Sequence, residues 1–293
     1  MVLVAATLFG INGSVAKVAL SSGLSSLRLT EARCAGAFAG LLVVAVLRDR
    51  RSLRVARRDL PRLALFGAVG VALVQLFYFL AIHRLAIAIA LLIQYLGPVM
   101  VAIYARTFGH EHIRRRIWAA LGLSLAGLTL MVQLWSGVAL DGLGVLYALL
   151  SAVAYAAYLL LAERQVGGRD TISLMVWGFG FATIFWTIVQ PWWSFPARTV
   201  GHVVSLQGEL AGTHAPVWAL VLWVVVLGTI APFTLVVGAL RHISATRVGV
   251  TAMLEPVVAT VVAWAWLKES LSTAQLVGAA VVLAGIGLAQ SAR

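Results

Sequence analysis

The sequence predicts an all-α membrane protein of ten transmembrane helices, arranged as two inverted five-helix repeats with both termini cytoplasmic. Three observations carry this. The chain is 62% hydrophobic and only 11% charged, with a mean hydropathy of +0.99, whereas soluble domains carry about 25% charged residues. Residues 81–132 recur without a gap at 239–290, an offset of 158, with about ten identities that include Pro98/Pro256, Glu111/Glu269 and Gly127/Gly285. Repeated apolar segments of this kind are a common architecture of secondary transporters. Finally, the basic residues fall unevenly about the apolar runs, which sets an orientation.

A spanning helix needs roughly 20 mainly apolar residues. Ten stretches qualify in chain order, near 2–20, 28–47, 62–82, 86–106, 116–134, 142–162, 172–190, 216–238, 243–265 and 273–290, here spans 1 to 10. Met1 opens straight into span 1 without a basic leader, so no cleavable signal is expected. The loop after span 2 holds Arg48, Arg50, Arg51, Arg54, Arg57, Arg58 and Arg62, and the loop after span 4 holds Arg106, Arg114, Arg115 and Arg116. Placing these inside, with Arg164, Arg169, Arg241, Arg247 and Arg293, gives sixteen basic residues inside. Arg28, Arg33, Arg84, Arg198 and Lys268 then lie outside, five in all. The positive-inside bias therefore puts both termini in the cytoplasm, in the cytoplasmic (inner) membrane. Short junctions at His83-Arg84 and Arg241-His242, matching positions of the repeat, require antiparallel neighbours. The long outside loop at 191–215 carries Trp192 and Trp193, with Trp218 beyond it, as interfacial anchors. Five spans per half is an odd number, so residues 137–293 must sit upside down relative to 1–136, with the pathway between the halves.

The formal net charge of +12 is explained by this loop bias, and no nucleic-acid partner is expected. The single cysteine, Cys34, excludes an intramolecular disulfide and reads as a buried small hydrophobe. His110-Glu111-His112 lacks the spacing of a helical zinc site, and no phosphate loop of the Walker type is present. No metal or cofactor is expected. The partners are a small-molecule substrate, the bilayer and, in one variant, protons.

Glu255 is the sharpest chemical signal. A charge at a helix centre costs about 2.5–3.5 kcal/mol even on the permissive insertion scale, so it should face the bundle interior, be protonated or have a partner. It either carries a proton or substrate amine, or clamps the backbone disturbed by Pro256. Lys17, the other deep charge, is the candidate partner; contact with a substrate carboxylate and snorkelling to an interface are its alternatives. Its Ser14-x-x-Lys17 spacing occurs in acyl-enzyme hydrolases, but no companion motif is present. One deep Glu, one Lys and no aspartate pair argue against an intramembrane enzyme. Pro98 and Pro256 each remove a helix hydrogen bond and predict kinks that shape the cavity or hinge. Asn12, Gln75, Tyr78, Gln94, Tyr95 and the stripe Tyr147, Ser151, Tyr155, Tyr158 offer a polar-aromatic lining, with Trp177 a further candidate. Packing between helices is the alternative for each. Glu111 and Glu269 read as fasteners at helix ends, beside Arg114 and Lys268.

Taken together, Gly10-Ile11-Asn12-Gly13-Ser14 with Lys17, Arg33 in span 2, Leu96-Gly97-Pro98-Val99, and Leu254-Glu255-Pro256-Val257 leading into Leu267-Lys268-Glu269 resemble the drug/metabolite transporter superfamily, specifically its ten-helix EamA branch. Gln275-Leu276-Val277-Gly278 and Leu283-Ala284-Gly285 extend the likeness over nearly the whole chain. Span 4 with Tyr78-Phe79-Leu80-Ala81 is most similar to the amino-acid exporters of that branch, including the threonine/homoserine type. The resemblance implies a two-fold inverted-repeat fold and alternating-access export of small metabolites, coupled to protons or as an uncoupled facilitator. The chain departs from the branch in the extra histidine, His112, and in having no basic leader.

Overall fold

The computed structural model describes residues 1–110, 112–134 and 141–291. Among the described residues, ten helices are long and apolar enough to cross a membrane: span 1, Val2–Leu20; span 2, Ser26–Leu53; span 3, Arg57–Ile82; span 4, Ile87–Thr107; span 5, Arg115–Val132; span 6, Gly142–Val166; span 7, Thr171–Val189; span 8, Val217–Ala239; span 9, Ala245–Leu267; and span 10, Thr273–Ser291. Polar caps set several starts. The Ser25 hydroxyl accepts from Arg28 N–H, Asp141 from Gly144 N–H at 2.7 Å, and Asp170 from Ile172 and Ser173 N–H. These side chains satisfy amides that a helix start leaves without partners.

The repeat seen in the sequence has a counterpart in backbone irregularities. Span 4 is interrupted between Ile87–Gln94 and Gly97–Thr107, and span 9 between Ala245–Ala252 and Leu254–Leu267. Tyr95 and Met253, at the two breaks, are 158 residues apart. Pro98 and Pro256 then fall in the first turn of the second half-helix, where a missing N–H leaves nothing unsatisfied. Spans 3 and 8 each contain a π-helical stretch, Phe66–Leu73 and Val226–Ile230, again at corresponding positions of the repeat. His110 (φ 53°) and Lys268 (φ 60°), also 158 apart, both adopt the left-handed conformation.

Close helix approach depends on small residues, as expected where lipid offers no hydrophobic drive between helices. Spans 5 and 10 meet at Gly127 and Gly278, where a Cβ on Gly278 would fall 2.5 Å from the Gly127 carbonyl oxygen. Spans 3 and 7 meet similarly at Gly67 and Gly178. One core joins buried residues of spans 2, 3, 6, 7 and 8, including Cys34, Phe66, Tyr158, Phe179 and Trp186. A second joins spans 4, 5, 9 and 10 around Tyr95, Leu121, Met253 and Val282. The segment between spans 7 and 8 carries a short antiparallel hairpin, Val203–Ser205 with His214–Pro216. It packs on spans 1, 8 and 9, where the Trp266 indole N–H donates to the Leu206 carbonyl at 3.0 Å. Trp193 and Trp218 on its flanks are exposed.

Candidate transport site

The site lies where the two cores meet. The break in span 4 turns Tyr95 inward, and the break in span 9 does the same for Glu255 one residue into its second half. The Tyr95 hydroxyl donates to Glu255 Oε2 at 3.0 Å. Tyr95 is almost fully buried, while Glu255 is half-buried. Tyr155 of span 6 stands edge-on to Tyr95, with ring centroids 6.5 Å apart. Tyr155, Tyr78 of span 3 and Arg33 of span 2 all lie within electrostatic reach of Glu255. Arg33 donates through Nη2 to Gln75 Oε1 at 2.6 Å, and Gln75 Nε2 is held by the Val71 carbonyl at 3.1 Å, inside the π-helical stretch of span 3. Five spans thus deliver one carboxylate, one guanidinium, three phenols and one amide to a common region. Such a set can hold a charged or dipolar solute, because each charge has hydrogen-bonding company and an opposite charge nearby.

The structure corrects the expected partner of Glu255. Lys17 lies near the end of span 1, exposed, with its Nζ 2.6 Å from Glu269 Oε1; its long stem carries the ammonium to the helix end rather than into the bundle. Arg33 of span 2, counted above with the outside charges, hydrogen-bonds Gln75 and is the cation within electrostatic reach of Glu255. Lys268, expected beside Glu269, instead pairs with Glu209 at 3.4 Å. Glu111 lies outside the described residues. Glu255 is also not the only deep carboxylate. Glu31 is fully buried and pairs with Arg28 at 2.7 Å, while Arg28 also donates to the Pro191 carbonyl at 3.2 Å.

Other expected lining residues are dispersed. Asn12 is buried against Gly228 of span 8. The Trp177 indole N–H donates to the Leu53 carbonyl at 3.3 Å, which fastens span 7 to the end of span 2 and removes it from the cluster. Gln94 ends the first half of span 4, half-buried. In the span 6 stripe, Ser151 donates to the Val74 carbonyl at 2.9 Å, at the exit of the π-helical stretch, and Tyr158 stacks on Phe66 in the core. A separate cavity of about 290 Å³ is lined by Met1, Val2, Arg247, Thr251 and Gln290. Thr251 is one helical turn from Glu255 along span 9.

The sequence model of the EamA-like transporter family matches residues 1–133 and 142–290. The chain belongs to this family. A further likeness is to an uncharacterized transporter of Archaeoglobus fulgidus, 27% identical over 235 residues, which are 79% of this chain and 76% of that protein. Another is to the threonine/homoserine exporter RhtA of Escherichia coli K12, 25% identical over 263 residues, covering 89% of this chain and 79% of RhtA. One crystal structure superposes with a TM-score of 0.75 at 19% identity, covering 99% of this chain and 96% of its own; that likeness is one of fold. With ten membrane-length helices, this EamA protein is a multi-pass membrane transporter for small molecules rather than an enzyme.

Proposed function

We propose that the protein is a secondary exporter of the cytoplasmic membrane, moving amino acids or closely related metabolites by alternating access at the interface of two inverted halves, 1–136 and 137–293. The observation that carries this is the Tyr95–Glu255 hydrogen bond. It joins the interruptions of spans 4 and 9, which occupy equivalent positions in the two copies of the repeat. Discontinuous helices near mid-membrane are where transporters of repeated architecture build solute and ion sites. The likeness to RhtA supports an amino-acid substrate, and the basic loops support cytoplasmic termini. Pro98 and Pro256 then act as hinges, and Glu255 receives a proton or the substrate ammonium. The cavity reaching Thr251 is the approach from the cytoplasm.

A second kinetic reading has its own observation. Arg33 lies within electrostatic reach of Glu255 and offsets part of its charge, which is compatible with an uncoupled facilitator on the same fold. Flux of an amino-acid panel from proteoliposomes, with and without an imposed pH gradient, separates the two. If Glu255→Gln transports with the wild-type pH profile, proton coupling through this residue fails. If no amino acid moves at all, the substrate assignment fails.

A further inference from the structure

The geometry points to Arg33 as the anchor for the carboxylate of the substrate, opposite Glu255 as the receptor of its ammonium, so that the site selects zwitterions over cationic amines. This rests on the reading of the central cluster as the transport site and adds to it a residue, an orientation and a class of solute.

Four observations support the assignment. First, Arg33 and Glu255 are opposite charges in electrostatic reach of one another, yet among the described residues no carboxylate lies within 4 Å of the guanidinium. Two unlike charges that reach one another electrostatically without forming an ion pair offer complementary ends to a dipole, and a zwitterion bound by both satisfies both at once. Second, the guanidinium is not saturated. It has five N–H donors; Nη2 is used on Gln75 Oε1 at 2.6 Å, and the buried Nε has no acceptor among the described residues. Buried donors are nearly always paired, so this one awaits an acceptor. Third, the guanidinium is held in place from behind. Gln75 Nε2 is tied to the Val71 carbonyl, which fixes Oε1 toward Arg33. A guanidinium fork held this way matches a carboxylate bidentately, as an ammonium does not. Fourth, the carboxylate end is already separated by fold. Arg33 and Gln75 belong to spans 2 and 3, while Glu255, Tyr95 and Tyr155 belong to spans 9, 4 and 6. The phenol rings of Tyr95 and Tyr155 near Glu255 are of a kind that suits an ammonium.

The test is a matched pair of solutes on the full-length protein in proteoliposomes: L-threonine with L-threoninamide, and L-phenylalanine with L-phenylalaninamide. Each amide keeps the ammonium and side chain and loses the carboxylate. Wild type is expected to move the acid at least tenfold faster than the amide. Arg33→Gln should lower acid flux by about tenfold or more and leave amide flux within twofold, collapsing the ratio, and Arg33→Lys should restore part of it. A structural role for Arg33 would lower both members alike, and that result overturns the inference. Thermal stabilisation of purified wild type needs no variant: the acids should raise the melting temperature and the amides should not, and equal shifts again overturn it. If wild type moves neither acid nor amide while remaining folded, the amino-acid assignment falls, and the role of Arg33 with it. If it moves both equally, only the role of Arg33 falls.

Discussion

Tyr95→Phe removes one atom from the proposed site and is the most discriminating perturbation available. The ring stays, with its edge-on contact to Tyr155, and only the hydroxyl that donates to Glu255 at 3.0 Å is lost. A hydrogen bond to a charged group contributes about 1.5–3 kcal/mol, and about 1.4 kcal/mol is a factor of ten, so the full range is roughly 10- to 150-fold. Glu255 is half-buried rather than sealed, so water replaces part of the lost donor and the lower end applies. The apparent affinity for the transported amino acid should fall about tenfold. The assay is concentration-dependent flux in proteoliposomes, with the melting temperature of the purified variant measured alongside. Tyr158→Phe is the internal control. Its hydroxyl is buried with no partner among the described residues, and an unsatisfied buried group costs about 1–3 kcal/mol. Removing it should leave flux within about twofold and leave stability unchanged or raised. If Tyr95→Phe transports with wild-type affinity while folding normally, the Tyr95–Glu255 bond is scaffold, and the placement of the solute at the two helix breaks is wrong.

Two further outcomes test the packing and the corrected ion pair. Gly278→Ala should lower the thermal stability of the detergent-solubilised protein, because its Cβ would sit 2.5 Å from the Gly127 carbonyl oxygen and 2.8 Å from the Met131 amide nitrogen. Backbone cannot swing aside like a side chain, so a loss of about 1–3 kcal/mol is expected, and an unchanged melting curve would contradict the close approach of spans 5 and 10. Lys17→Ala should cost less than about 1 kcal/mol, since both partners of its pair are half exposed or more and such pairs contribute little. Loss of transport in that variant at normal stability would return Lys17 to the solute pathway.

What the sequence made legible follows from what leaves a local mark. Ten apolar runs of spanning length are visible because no bilayer-crossing helix can be shorter. The breaks in spans 4 and 9 are announced by Pro98 and Pro256, and Glu255 by its cost in an apolar run. The partner of Glu255 left no such mark. Position along an apolar stretch makes Lys17 look deep, but it is only three residues from the end of span 1 at Leu20, and its ammonium reaches the exposed Glu269. Arg33 was hidden by the opposite error. Arg33 falls inside span 2 as read at 28–47, but little more than one turn from its outer end, so it counts with the outside charges. The Ser25 cap starts that helix earlier and carries Arg33 two turns into it. Ser25 was therefore the overlooked signal. Glu31, near the same end of span 2, is likewise buried and paired with Arg28. The π-helical stretches of spans 3 and 8 have no proline and no polar residue to betray them in the first copy, and only their shared position in the repeat would have pointed to them.

The one mismatch at the centre of the repeat acquires a physical reason. Gly97 and Glu255 are equivalent positions, 158 residues apart, but the two surroundings are not equivalent. A Cβ at residue 97 would fall 2.8 Å from Tyr155 Cδ1 and 3.0 Å from the Ala152 carbonyl oxygen. A second glutamate at this depth would thus be excluded by span 6 before its charge were considered. The glycine lets span 6 approach the break in span 4, which brings Tyr155 to the edge of Tyr95 and within electrostatic reach of Glu255. One copy gives up a side chain so that an aromatic wall can stand there, and the other keeps the carboxylate that the wall faces. A symmetric pair of glutamates would repel across the interface and leave two buried charges for one guanidinium. The asymmetric pair leaves one carboxylate within electrostatic reach of Arg33, the charge balance that the proposed zwitterionic solute requires.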